Sequence, residues 1–78
     1  MTHSELLKCW PSARRMAIES GIPLRTCIRW HSQQEIPRPE YWLVLLREAV
    51  RRERLYLPGG YDVALAGLAK DSHRMGAS

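Results

Sequence analysis

Seventy-eight residues make one small domain, and at this size folding hides only about 60% of the surface that the unfolded chain exposes. A large enclosed active site with its own supporting shell is therefore not expected. The composition is that of a soluble globular chain, 45% hydrophobic and 26% charged, with a formal charge of +4. Ten of the twelve basic residues are arginine, and only Lys8 and Lys70 are lysine. From Ser12 to Arg54, nine arginines stand against five glutamates, while the segments on either side are each balanced. The excess charge is thus concentrated in the middle of the chain, which suits a polyanionic partner. A coding bias towards arginine is the competing explanation. Cys9 and Cys27 are far apart, and His3, His31 and His73 do not cluster with them, so no metal-ligand spacing is present and no cofactor is expected. Nor do these residues assemble a nucleophile, a base and an orienting group, so catalysis is not expected. With one possible disulfide and no signal peptide, reduced thiols in a cytoplasm are expected. The longest apolar run, Tyr41 to Leu46, is too short to span a bilayer.

In chain order, Thr2 or Ser4 caps a short first helix through Cys9, with Leu6, Leu7 and Trp10 turned inward and Pro11 ending it. Ser12 is placed to cap the next helix, its hydroxyl accepting from a free N–H of the first turn. Ala13, Met16, Ala17 and Ser20 then recur at helical spacing, with Arg14, Arg15 and Glu19 outside. Gly21 ends this helix, where a positive φ costs nothing. Pro23 opens the following helix, since its missing N–H would have been unpaired anyway. Cys27 and Trp30 form its inward face, supported by Ile22 from the turn. This helix runs out between Ser32 and Gln34, and Ile36-Pro37-Arg38-Pro39 reads as a stiff extended link. A long helix over 39–54 buries Trp42, Leu45, Leu46 and Ala49 and turns Arg47, Arg51, Arg52 and Arg54 outward, the last three within reach of Glu48 and Glu53. Pro58-Gly59-Gly60 makes a turn, 61–70 a weaker last helix, and 71–78 a flexible tail. No segment alternates as a strand should.

The segment 12–33 meets each shape requirement of a helix-turn-helix. Ala17 is the small residue at the helix crossing, Gly21 makes the turn, Ile22 plugs the corner, and Cys27 and Trp30 face back onto the first helix. The run from Gly21 to Trp42 resembles small Cro/CI-type helix-turn-helix regulators of phages and integrative mobile elements, many of which read roughly G-[VI]-x-x-x-T-V-x-x-W-x-x-x-G-x-I-P-x-x-Y-W. Gly21, Thr26, Trp30, Ile36, Pro37, Tyr41 and Trp42 match that pattern, and the likeness extends from Ser12 to about Ala49. The sequence departs from it at Cys27, where a branched aliphatic is usual, and at Gln34, where a glycine usually ends the recognition helix. The resemblance implies a helical, non-enzymatic protein, encoded by a bacterium or phage, that binds double-stranded DNA, often as a homodimer and often as a repressor.

With Cys27 and Trp30 inside, Leu24, Arg25, Ile28, Arg29 and Ser32 point outward. Arg25 and Arg29 are one turn apart and each can fork onto guanine or grip phosphate, while Leu24 and Ile28 can touch thymine methyls. Gln33 is a further candidate for base contact. Ser12, Arg14, Arg15, Thr26, His31, Ser32 and Arg38 are candidates for phosphate contact. Solvated surface arginines are the ordinary alternative for Arg25 and Arg29. Two aliphatics at i, i+4 also suit docking on a protein, so a rival reading is an antiactivator that blocks a transcriptional activator, with RNA polymerase a further possible partner. An excisionase-like factor would need a β-wing after Ile36-Pro37, where the chain reads as helix. Tyr56, Leu57, Tyr61, Val63, Leu65 and Leu68 need cover, which either a fold back onto the core or a two-fold dimer seam supplies. The expected architecture is all-α, a single domain over 1–70: a compact bundle of four to five short helices containing a helix-turn-helix, with no β-wing.

Overall fold

A computed structural model describes the backbone of residues 1–76 and side chains through Ser72. The chain is all-helical, with no strand among the described residues: α1 (His3–Leu7), α2 (Ala13–Ser20), α3 (Leu24–Gln33), α4 (Trp42–Arg51) and α5 (Gly60–Gly76). None of these helices is long and apolar enough to cross a membrane.

Local chemistry sets the boundaries. Thr2 caps α1 through a reciprocal capping box: its hydroxyl accepts from the Glu5 amide at 3.2 Å, and its own amide donates to the Glu5 carboxylate at 2.8 Å. Ser12 caps α2 by accepting from the Arg15 amide at 3.1 Å. Gly21 stops α2 at φ +79°, a left-handed conformation that a Cβ would strain. Three residues later α3 begins. It ends at Gln34, which adopts φ +56° although it is not glycine.

One core joins all five helices. Leu6, Leu7, Trp10, Met16, Ile22, Cys27, Trp30, Ile36, Trp42, Leu45, Leu46, Ala49, Ala64 and Leu68 are all buried. The inward faces read from helical spacing in α1, α3 and α4 are therefore the faces that pack.

Three expected boundaries differ, the first being α1, expected through Cys9, which closes at Leu7. The supporting helix expected over 39–54 is a 3-10 turn (Pro39–Tyr41) followed by α4, which closes at Arg51. Two prolines within three residues deny the backbone a continuous α-helical start. The helix expected over 61–70 continues to Gly76, so residues 71–76 are helix and not tail; 77–78 lie outside the described residues. Asp71 is buried, and its carboxylate accepts the backbone N–H of His3 at 3.1 Å. Of the two expected ways to cover the C-terminal apolar residues, a fold back onto the core is present, through Ala64 and Leu68, with Tyr56 and Val63 left exposed.

His3 is the hub of that docking and is fully buried. Its Nδ1 accepts from the Ile36 amide at 2.9 Å, and its Nε2 lies 3.0 Å from the Leu68 carbonyl and 2.6 Å from Ser72 Oγ. Trp42 stacks edge-on against the ring, and Trp42 Nε1 donates to the Ile36 carbonyl at 2.8 Å. One imidazole thus joins α1, the segment leaving α3, and α5.

Candidate nucleic-acid interface

The core sets which face of α3 is free. Cys27 and Trp30 are buried against α2 and the rest of the core, which leaves Leu24, Arg25, Ile28, Arg29, Ser32 and Gln33 exposed on the other side. All five candidate base-contact residues therefore share one exposed surface. Leu24 is 40% and Ile28 53% exposed, so each keeps apolar surface that a partner can bury. The Cys27 thiol approaches the Ile22 carbonyl at 3.8 Å, and burial pushes its pKa up, so it stays a neutral packing group.

The arginines divide into engaged and unengaged sets. Glu19, read as an outward residue, has a side chain only 7% exposed and gathers three of them. Arg54 grips it with both terminal nitrogens, Arg52 lies 3.5 Å away, and Arg15 lies 3.9 Å away. The Arg54 bond holds the Glu19 carboxyl below the usual carboxylate range. Glu48 takes Arg51 at 2.8 Å and Arg52 at 3.0 Å. Arg38 pairs with Glu40 at 3.2 Å and lies over the Tyr41 ring. Arg14, Arg25, Arg29 and Arg47 have no acidic partner among the described residues. Two of those four stand on the exposed face of α3.

The candidate phosphate contacts fare unequally. Arg14, Arg15, Ser12, Ser32 and Arg38 are exposed, and Thr26 is half-buried. Ser12 already serves as the α2 cap, though its hydroxyl proton is still available to a phosphate oxygen. His31, expected to be exposed, is half-buried; its Nε2 is enclosed without a hydrogen-bond partner, and burial lowers its pKa. It lies at i+3 from Ile28, beside the aliphatic edge of the face. With Nε2 enclosed, Nδ1 is the ring atom of His31 left for a phosphate contact.

Two features escaped sequence reasoning. Ile18, on α2 and one turn beyond Arg14, was assigned to neither face by sequence reading and is 69% exposed. The Glu19 cluster forms between residues 35 apart in sequence, beyond the range of any local charge pattern. Compared with protein families, with curated proteins and with solved structures, the chain matches none.

Proposed function

We propose that the protein binds double-stranded DNA sequence-specifically and regulates transcription as a repressor, with α3 lying in the major groove. One observation carries this reading: Arg25 and Arg29 stand one helical turn apart on the exposed face of a helix whose opposite face is locked into the core, and neither is neutralised by an acid among the described residues. Ion pairing is what usually disposes of surface arginines, and here it claims Arg51, Arg52 and Arg54 instead. A guanidinium with five donors in a planar fork matches guanine O6 and N7, or two phosphate oxygens, without rearrangement. Arg14 adds a free cation at the start of α2 for the backbone. Helices of this size are held in register on DNA most readily by two-fold pairing, so the functional unit proposed is a homodimer on two half-sites about one helical turn apart.

A second reading rests on Leu24 and Ile28, whose exposure suits docking on another protein, as in an antiactivator. Titrating the protein against the DNA upstream of its own gene at two salt concentrations separates the two. Submicromolar binding that weakens steeply with salt, with Arg29→Ala removing most of the sequence preference, supports DNA recognition. No salt-sensitive binding at micromolar protein overturns it. Capture of a transcriptional activator, lost in Ile28→Asp and kept in Arg29→Ala, then establishes the rival.

A further inference from the structure

The exposed half of α3 repeats a two-residue unit: Leu24-Arg25, then Ile28-Arg29, four residues on. At that spacing the two aliphatics form one stripe along the helix and the two arginines form the adjacent stripe. The four side chains are all exposed, so the pattern is presented to a partner and not spent on the core. Four residues of helix rise about 6 Å. A recognition helix lies in the major groove at an angle, and residues three or four apart along it meet neighbouring bases. The repeat along the helix therefore matches two neighbouring contact positions on the groove edge.

Each unit pairs two chemistries found side by side on one groove edge. The arginine fork fits guanine O6 and N7, and an apolar side chain fits the 5-methyl of thymine. The half-exposed surfaces of Leu24 and Ile28 can still be buried, which no polar readout would use. We infer that α3 recognises pyrimidine 5-methyl groups beside guanines, twice at neighbouring contact positions, so that 5-methylcytosine substitutes for thymine at those positions. The second part follows from the side chains present. Thymine and 5-methylcytosine carry the same methyl at C5 and differ at position 4, an acceptor oxygen against a donor amine. Leucine and isoleucine have no polar atom with which to tell these apart. His31, at the edge of the aliphatic stripe, is half-buried with its Nε2 enclosed, and burial disfavours its charged form. This inference rests on the DNA-binding reading and specifies which DNA.

The test begins with the full chain selecting its preferred duplex from a random library, followed by titration of that duplex by fluorescence anisotropy. Three replacements are then made at each thymine: deoxyuridine, a cytosine–guanine pair, and a 5-methylcytosine–guanine pair. Deoxyuridine is expected to weaken binding about fourfold at two positions in each half-site, the effect of burying one methyl-sized group. Methylating the cytosine at those positions is expected to recover about the same factor. Ile28→Ala, a change at an exposed site, is expected to weaken binding and to shrink the methyl effect at one position while leaving it at the other. Salt-sensitive binding that is indifferent to deoxyuridine and to cytosine methylation, or a selected site without such thymines, overturns this inference alone. Failure to bind any duplex overturns the DNA-binding reading with it.

Discussion

His3 Nδ1 accepts the Ile36 amide proton at 2.9 Å, which ties the start of α1 to the segment that carries the chain out of α3. A backbone amide can only donate, so Nδ1 is unprotonated and the ring proton sits on Nε2, directed at the Leu68 carbonyl and Ser72 Oγ. The tautomer follows from the partners. Ile36 is fully buried, so nothing else among the neighbours replaces the lost acceptor if the imidazole is removed. His3→Ala leaves a buried amide unpaired and a cavity under Trp42, which together cost about 2–4 kcal/mol. Urea denaturation is expected to show this as a lower midpoint with an unchanged slope. Both α1 and the C-terminal half of α5 should lose amide-exchange protection in the variant.

Gln34 does what a glycine does at the end of α3, but by different means. Its left-handed φ of +56° costs about 1 kcal/mol relative to glycine. Its side chain returns part of that: Nε2 donates to the His31 carbonyl at 2.8 Å, and Oε1 accepts from Ser4 Oγ at 2.7 Å. Gln34→Ala keeps the strained backbone and loses both bonds, so a destabilisation of about 1 kcal/mol is expected. Gln34→Gly relieves the strain as it loses the bonds and should fall close to wild type. A glycine variant as unstable as the alanine variant would show that the side-chain bonds alone matter.

Helical spacing was sufficient to place the helices and their inward faces, because those faces depend on periodicity within a single helix. Trp42, Leu45, Leu46 and Ala49 are the plain example. Gly21 was equally readable, since few residues take that φ without strain. What stayed illegible depends on chain segments meeting across long separations. Nothing near His3 in sequence foretells its bond to Ile36, and nothing near Asp71 foretells burial against the first turn. Glu19 sits in an arginine-rich helix that reads as a solvated face, yet Arg52 and Arg54 reach it only after α4 has packed on α2. The exposed face of α3 was legible by subtraction. The freedom of Arg25 and Arg29 from ion pairs required the fold.

Acid should destabilise the protein in two steps, the first from His31 and the second from carboxyls with lowered pKa values, Glu19 together with Glu5, Glu40 and Glu48. The Glu19 carboxyl has its pKa lowered, chiefly by its hydrogen bonds from Arg54. A carboxyl lowered in the folded state contributes stability above its unfolded pKa of about 4.3, and that stability is lost as pH falls through the folded value. The pKa of His31 is also lowered, by burial. Its unfolded form therefore takes up a proton first, and stability declines as pH drops below about 6.5. Both effects have the same sign. Thermal midpoints at intervals from pH 7.5 to 3 should fall in a shallow first step and a steeper second one. His31→Gln should reduce the first, and Glu19→Gln the second. Glu19→Gln should also be less stable at neutral pH and low salt, because Arg54 and Arg15 then lose their counter-charge beside Arg52, which keeps only Glu48. Added salt should recover part of that loss. A flat profile in this range for wild type would rule out both contributions.

The division of the arginines predicts which of them the proposed DNA binding should register. Each phosphate neutralised by a side chain releases condensed counterions and steepens the dependence of log K on log salt by about 0.9. Arg14 has no acidic partner among the described residues and stands free at the start of α2, so engaging a phosphate costs it no existing bond. Arg14→Ala should flatten the slope by about one unit and weaken all sequences alike. Arg54 is held by both nitrogens to Glu19 and also donates to the Cys9 carbonyl. To reach a phosphate it would have to abandon a carboxylate that is itself nearly buried. Arg54→Ala should therefore leave the salt slope unchanged and lower the thermal midpoint, because Glu19 loses its principal partner. Arg25→Ala and Arg29→Ala should differ from both by relaxing sequence preference, as base-reading residues do. If Arg54→Ala flattens the slope while Arg14→Ala does not, the DNA lies against the α4 side of the molecule and α3 is not the reading helix.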